Sequence, residues 1–198
     1  MIRPFLLCSL LLGTLGLSVD AQPLAERADA LLTAYHETGQ FDGAVLIASA
    51  DEIVYEKGFG EADRSWGIPN APDTKFRIGS VTKQFTAALI LQLVEAGEID
   101  LDAPVTRYLP EYPAAQGDHV TIHHLLSHTG GIPEHTSRPD FPDIMRDPVE
   151  PDDFLAVFSG RPLDFEPGTA FNYSNSGYVL LGVIIEHVTG QPYAEVLR

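Results

Sequence analysis

The hydrophobic pattern near the start of the chain is first helical and then strand-like. Apolar residues between positions 23 and 38 recur at helical spacing, which predicts an amphipathic helix that ends at Gly39. Two short apolar runs follow at 44–48 and 53–55, and the connecting residues 49–51 predict a β-hairpin. The apolar face of the predicted helix comprises Leu24, Ala28, Leu31, Leu32 and Tyr35.

Two later segments are apolar on nearly every side. Segment 80–96 is closed by Gly97, and segment 176–188 is followed by Gly190. Because neither has a wide polar face, the pattern predicts two buried helices. Residues 100–167, which lie between these helices, are rich in proline, aspartate and glycine and predict loops with short helices.

Weaker signals complete the pattern. Residues 70–73 predict a turn, and short helices are predicted at 121–127, with Thr121 as the N-cap, and at 152–158. Residues 192–198 look like the start of a helix without an end signal. We therefore expect that the sequence stops inside a domain.

Composition and charge narrow the class of protein. The chain has 198 residues, of which 44% are hydrophobic and 20% charged, as in an ordinary globular domain. Twelve Lys and Arg residues against 28 Asp and Glu residues give a formal net charge of −16. A phosphate backbone would be repelled by such a surface, which argues against a nucleic-acid partner.

The first 21 residues have the pattern of a secretory signal peptide. Arg3 supplies the positive start, residues 5–19 are uncharged and largely apolar, and cleavage is expected after Ala21. The apolar stretch is shorter than the roughly 20 residues that span a bilayer. The mature chain, 22–198, is therefore expected to be secreted or periplasmic. It would contain no thiol, because the single cysteine is Cys8.

A first candidate for chemistry lies where the first apolar helix begins. Ser80 and Lys83 form an S-x-x-K pattern, and residues three apart share a helix face, about 5–6 Å between β-carbons. A serine hydroxyl needs a neighbouring base to become a nucleophile, and lysine can be that base. Taken alone, the pattern fits equally well a serine that caps a helix and a solvated lysine.

A second candidate precedes the second apolar helix. Tyr173 and Asn175 form a Y-x-N pattern; a phenol beside an ammonium group can relay a proton, and an amide can donate to and accept from a substrate. The alternative is a tyrosine packed in the core and an asparagine that caps the helix. Both patterns lie at the mouths of the two most apolar helices, so packing of these helices would bring them to one cleft.

These motifs together resemble a known superfamily. Residues 76–87 (FRIGSVTKQFTA), 125–132 (LLSHTGGI) and 165–178 (FEPGTAFNYSNSGY) are similar to segments of the serine β-lactamases and penicillin-binding proteins. The similarity is greatest to the branch that contains class C β-lactamases, D,D-peptidases and related esterases. It spans nearly the whole mature chain in the family's order and says nothing specific about substrate.

The resemblance implies a fold, a mechanism and a role for each residue. The implied fold is α+β, with an antiparallel sheet flanked by helices and a helical lobe from about 80 to 175. Ser80 would be the acylated nucleophile, Lys83 its proton partner and Tyr173 the base or relay, while Asn175 would hold the substrate. The backbone N–H of Ser80 would form half of an oxyanion hole. The substrate would be a β-lactam, a D-alanyl peptide or a small ester, and no cofactor would be needed.

The same resemblance leads us to expect a further motif, K-T-G or H-x-G, on a strand after Tyr173. Residues 128–130 spell H-T-G, but they precede Tyr173 and belong to the 125–132 segment. Residues 22–198 thus correspond to the N-terminal part of a β-lactamase-related domain without its C-terminal sheet strands. Because an apolar hairpin alone is marginal in water, we expect this part expressed by itself to be unstable.

Two other readings stay open. One is a secreted binding or sensor module of the same fold that is acylated without turnover, or a degenerate product of it. The other is a metal site formed by clustered histidines, but H-E-x-x-H is absent from the sequence and the resemblance requires no metal. The sequence carries no signal for oligomeric state. The clustered residues are His119, His123, His124, His128 and His135.

Overall fold

The computed structural model describes residues 23–144, 146 and 148–198, and the contacts within it divide the chain into two compact units. The first unit ends at Arg77 and the second begins at Ile78. The predicted signal peptide, residues 1–21 with Cys8, lies outside the described residues and stays a prediction.

The described part of the first unit contains one helix and two antiparallel ribbons. Helix α1 spans Leu24–Glu37, strands β1 (Gly43–Ser49) and β2 (Glu52–Phe59) form the predicted hairpin, and β3 (Glu61–Asp63) pairs with β4 (Ile68–Pro69). The predicted helix and hairpin are confirmed. The predicted turn is also confirmed, because the N–H of Thr74 donates to the carbonyl of Ala71.

Polar contacts join α1 to the hairpin. Asp29 of α1 accepts a hydrogen bond from the hydroxyl of Tyr55 at 2.9 Å and pairs with the ammonium of Lys57 at 2.6 Å. The predicted apolar face is largely exposed within the described structure: Leu31 is 58% exposed and Tyr35 47%. The spacing therefore predicted the helix correctly, but not the burial of that face.

The second unit is helical. Among the described residues, no helix is both long and apolar enough to cross a membrane. Short 3-10 turns occur at Gly79–Val81, Val105–Arg107 and His135–Ser137. The α-helices are α2 (Thr82–Glu95), α3 (Ala114–Gly117), α4 (Ile122–Leu126), α5 (Phe141–Ile144), α6 (Pro151–Leu155), α7 (Asn175–Thr189) and α8 (Tyr193–Val196).

Helix α7 lies at the centre of this unit, packed against α2, α4, α6 and α8. Most of its apolar residues are buried as the sequence predicts, and each such side chain contributes about 1.5–3 kcal/mol relative to exposure. The helix ends at Gly190, whose φ of 65° provides a left-handed C-cap. The buried apolar side chains of α7 are Leu180, Leu181, Val183, Ile184 and Ile185.

Helix α2 corrects one sequence prediction. The segment 80–96 was expected to be buried on nearly every side, yet within the described structure only Thr86, Leu89 and Ile90 of α2 are buried. Phe85 is 44% exposed and Leu91 51%. Apolar composition shows that a helix avoids water but not which element covers each face. The expected instability of residues 22–198 alone stays a prediction.

A loop and a later segment are held together beside α4. Thr121 caps α4 by accepting a hydrogen bond from the His124 N–H, as predicted. The following loop then pairs with residues 164–172 through three backbone bonds, which place the Y-x-N motif at the start of α7. These bonds run from Asp164 N–H to Gly131 O, from Gly168 N–H to Thr129 O and from Asn172 N–H to His128 O.

Replacing Gly131 by alanine is expected to lower the free energy of unfolding by about 2–4 kcal/mol. Gly131 has a φ of +67°, and a β-carbon there would overlap the carbonyl oxygen of Phe165. Urea unfolding would measure the change. Gly160→Ala is the matched control, because its β-carbon would meet no atom within 4 Å. Equal stability of the two variants would contradict the prediction.

Candidate active site

Ser80 lies in the 3-10 turn that leads into α2, and Lys83 is in the first turn of the helix. The spacing of three residues brings the ammonium of Lys83 to 3.5 Å from the hydroxyl oxygen of Ser80. Val81, not Ser80, occupies the N-cap position of α2. The alternative reading of Ser80 as a helix cap is therefore wrong.

The second motif meets the first at the mouth of α7. The hydroxyl of Tyr173 donates to the Ser80 oxygen at 2.8 Å, although the two residues are 93 positions apart. The ammonium of Lys83 donates to the side-chain oxygen of Asn175 at 2.7 Å. The structure thus brings all four predicted site residues together, as expected from two apolar helices that pack side by side.

The structural alternatives for the second motif also fail. Tyr173 is 42% exposed rather than packed in the core. The N-cap of α7 is Ser174, whose hydroxyl accepts the N–H of Gly177 at 3.0 Å. Asn175 therefore does not cap the helix. The side chains of Tyr173 and Asn175 are directed to Ser80 and Lys83 instead.

The electrostatics favour proton transfer at Ser80. The neighbouring ammonium of Lys83, and then the hydrogen bond to Ser80, hold the pKa of Tyr173 below its ordinary value of 10. The ammonium of Lys83 also lies 4.8 Å from the centre of the Tyr173 ring. A phenol whose ionised form is stabilised in this way can accept or relay the proton that a serine nucleophile must lose.

The loop at 128–136 contacts Tyr173 and the start of α7. The ring nitrogen Nδ1 of His128 accepts the N–H of Ser174 at 3.1 Å, and the imidazole lies against the Tyr173 ring at 4.6 Å between centres. Ser176 donates to the carbonyl of Pro133 at 2.7 Å. These bonds fix the start of α7. No local pattern in the sequence predicted that these residues position α7.

One loop residue that sequence reasoning missed contacts the site itself. Glu134 accepts hydrogen bonds from both the backbone N–H and the side-chain amide of Asn175. The position of Glu134 in the sequence, relative to the S-x-x-K and Y-x-N motifs, did not indicate that it would contact them. Only the fold brings the carboxylate to the start of α7, 41 residues later in the chain.

Two of the clustered histidines, His124 and His135, serve the scaffold in this structure. His124 completes the capping box of α4, and His135 is buried with Nδ1 2.9 Å from the Ser176 hydroxyl. In the part of the chain that the structure describes, no three His, Cys, Asp or Glu residues converge as a metal site. The geometry therefore favours packing and hydrogen bonding as the role of these rings.

The free energy of unfolding is expected to fall as the pH drops below about 6.5. Burial lowers the pKa of His124, His128 and His135 from 6.5. Below pH 6.5 the unfolded chain therefore binds protons that the folded chain does not. This contribution is fully present above 6.5 and is lost as the pH falls toward the folded pKa values.

Urea unfolding between pH 7.5 and 5.5 would measure this slope. His135→Gln is expected to reduce it, because this variant removes one of the three histidines whose pKa burial lowers. Stability that is constant, or greater at pH 5.5, would contradict the prediction.

A cavity of about 540 Å³ is lined by three of the four residues and provides room for a substrate group. Its lining includes Ser80, Lys83 and Asn175 together with Thr136 and Tyr178. The nucleophile candidate is therefore accessible from a concave surface, as a small-molecule site requires.

Comparisons with known proteins agree with this geometry. A family model described as Beta-lactamase matches residues 28–198. Esterase EstB of Burkholderia gladioli is 40% identical over 193 aligned residues, covering 89% of this chain and 48% of that protein. The putative penicillin-binding protein PbpX of Bacillus subtilis (strain 168) is 37% identical over 158, covering 80% and 38%.

A solved structure shows the same similarity in three dimensions. The penicillin binding protein from Bacillus halodurans superimposes with a TM-score of 0.72 at 36% identity, covering 84% of this chain and 52% of that chain. The present chain thus spans about half or less of the length of the proteins that it matches.

Proposed function

The chain belongs to the beta-lactamase family, and on that basis we propose that the protein is a serine hydrolase that is acylated on Ser80. The β-lactamase/transpeptidase-like α+β fold expected from the sequence is confirmed. The observation that carries the proposal is the 2.8 Å contact between the Ser80 oxygen and the Tyr173 hydroxyl, with Lys83 at 3.5 Å.

The proposed reaction has two halves. The Ser80 hydroxyl gives its proton to the Tyr173–Lys83 pair while its oxygen attacks the carbonyl carbon of an amide or ester. The C–N or C–O bond then breaks, and the pair returns the proton to the departing nitrogen or oxygen. Water next attacks the acyl-enzyme, loses its proton to the same pair, and Ser80 leaves with that proton restored.

Asn175 has a clearer role in this scheme than the sequence suggested. The resemblance implies that it holds the substrate, but in the structure its oxygen binds Lys83 and its amide nitrogen binds Glu134. We therefore assign to Asn175 first the placement of the Lys83 ammonium. Contact with a substrate stays an implication of the resemblance.

The proposed substrates are a β-lactam, a D-alanyl peptide or a small carboxylic ester, because all three present a carbonyl to the same nucleophile. Similarity to an esterase supports the ester, whereas similarity to penicillin-binding proteins supports the other two. The latter similarity also keeps a second candidate function: a module that is acylated by penicillin and does not turn over.

Covalent labelling tests the proposal. The complete encoded polypeptide is incubated with a fluorophosphonate or a penicillin probe, and intact mass and peptide mapping locate the adduct. We expect one adduct per chain, on Ser80. An unlabelled chain, or an adduct only on another residue, would overturn the proposal. A penicillin adduct that persists without release of product would favour the non-turnover module.

A further inference from the structure

The carboxylate of Glu134 is the meeting point of four hydrogen-bond donors. One oxygen accepts the N–H of Thr136 at 3.0 Å, its hydroxyl at 2.6 Å and the side-chain amide of Asn175 at 3.0 Å. The other oxygen accepts the backbone N–H of Asn175. The side chain is only 16% exposed, and the nearest ring nitrogen, Nδ1 of His135, lies 3.9 Å away.

These contacts keep Glu134 ionised. Burial alone would raise the pKa of the carboxyl, but the hydrogen bonds from Thr136 and Asn175 outweigh that effect and hold it below its ordinary value of 4.5. An ionised carboxylate has no proton to donate and can only accept hydrogen bonds.

The acceptor-only character of Glu134 decides the orientation of the Asn175 amide. The NH₂ group must face the carboxylate, so the amide oxygen faces Lys83, 2.7 Å from its ammonium. In the opposite orientation an oxygen would face the carboxylate and an NH₂ group would face the ammonium. Both contacts would then be repulsive.

The position of Lys83 in turn depends on this amide oxygen. Among its polar contacts in the described part of the chain, the bond to Asn175 at 2.7 Å is much shorter than the 3.5 Å approach to Ser80. An ammonium held on one side by Asn175 stays within reach of the serine oxygen. A freely turning amide would let it move away.

We propose that Glu134 is a positioning residue for the reaction at Ser80, acting through the amide of Asn175 on the ammonium of Lys83. The inference rests on the proposed function, since it assigns Glu134 a part in the same acylation. A purely structural role is the alternative, because an anion at the start of α7 also stabilises the helix.

A double-mutant cycle in the complete encoded polypeptide separates the two roles. Glu134→Gln replaces one acceptor by a donor, which permits the Asn175 amide to turn, and is expected to slow labelling of Ser80 by about 10- to 100-fold. In an Asn175→Ala background the same change is expected to alter the rate less than about twofold. Asp118→Asn, which removes the carboxylate that accepts from Thr106, is the control and is expected to leave the rate unchanged.

A reciprocal exchange tests the orientation directly and does not depend on the stability of Glu134→Gln. Asn175→Asp alone places two carboxylates against each other and is expected to label slowly. Adding Glu134→Gln supplies an amide donor to the new carboxylate. The double variant is expected to label at least about tenfold faster than Asn175→Asp alone. Thermal melts would verify that each variant is folded.

The outcomes are distinguishable. Wild-type labelling together with an unaffected Glu134→Gln variant would overturn the positioning role and leave the proposed function intact. The same follows if the effect of Glu134→Gln persists undiminished beside Asn175→Ala, or if the exchange restores nothing. Absence of labelling in the wild type would overturn both proposals.

Discussion

Replacing Lys83 by alanine is expected to slow the acylation of Ser80 by about 10²–10⁴-fold, the range for loss of a general acid or base. The variant removes the ammonium that lies 3.5 Å from the serine oxygen and 2.7 Å from Asn175. The expected result follows from chemistry rather than folding, because the change deletes few buried atoms.

The rate of adduct formation with the fluorophosphonate probe, followed by intact mass, would measure this loss. Lys75→Ala is the natural control, since the chain has only three lysines and Lys57 already pairs with Asp29. The control is expected to label at the wild-type rate. If Lys83→Ala also did so, the assignment of Lys83 as the proton partner would be wrong.

Replacing Tyr173 by phenylalanine is the second change with a large expected effect, again about 10²–10⁴-fold on acylation. Only the hydroxyl that contacts Ser80 at 2.8 Å is lost, while the ring can stay against His128. Because Lys83, and then Ser80, lower the pKa of Tyr173, its ionised form is more populated at a given pH than for an ordinary tyrosine.

This shift gives the prediction a pH signature. If Tyr173 acts as the base, the wild-type rate rises with pH until the pKa of the phenol, which lies below 10, is passed. The phenylalanine variant is expected to lack that rise. Tyr108→Phe, which removes a hydroxyl that accepts from the Asp100 N–H, is the control and should keep it. A Tyr173→Phe variant that retained the wild-type rate and profile would exclude the role.

Local patterns were sufficient for much of the architecture. Helical spacing located α1, strand-like runs located β1 and β2, and Thr121 marked the start of α4. These features depend on neighbours in sequence, such as backbone bonds four residues apart or a cap three residues away, so the sequence can show them directly.

The burial of side chains was predicted correctly for α7 but not for α1 and α2. The segment that became α7 is covered on its apolar sides, but the equally apolar α2 exposes Phe85 and Leu91 within the described structure. Likewise the apolar stripe of α1 is largely exposed. A pattern shows which side chains gain from leaving water, whereas the packing of distant elements decides which of them do so.

By itself, the sequence determined the nucleophile candidate and its nearest partner, because Ser80 and Lys83 are one helical turn apart and their contact is local. The sequence also identified Tyr173 and Asn175 as candidates, but only the tertiary structure decided their contacts and added Glu134 to the site. Tyr173 and Asn175 reach them across more than 90 residues because α2 packs against α7, and Glu134 reaches Asn175 because the 128–136 loop is hydrogen-bonded to the start of α7. Such contacts join segments whose separation along the chain carries no periodic signal, so they depend on the packing of the core around α7.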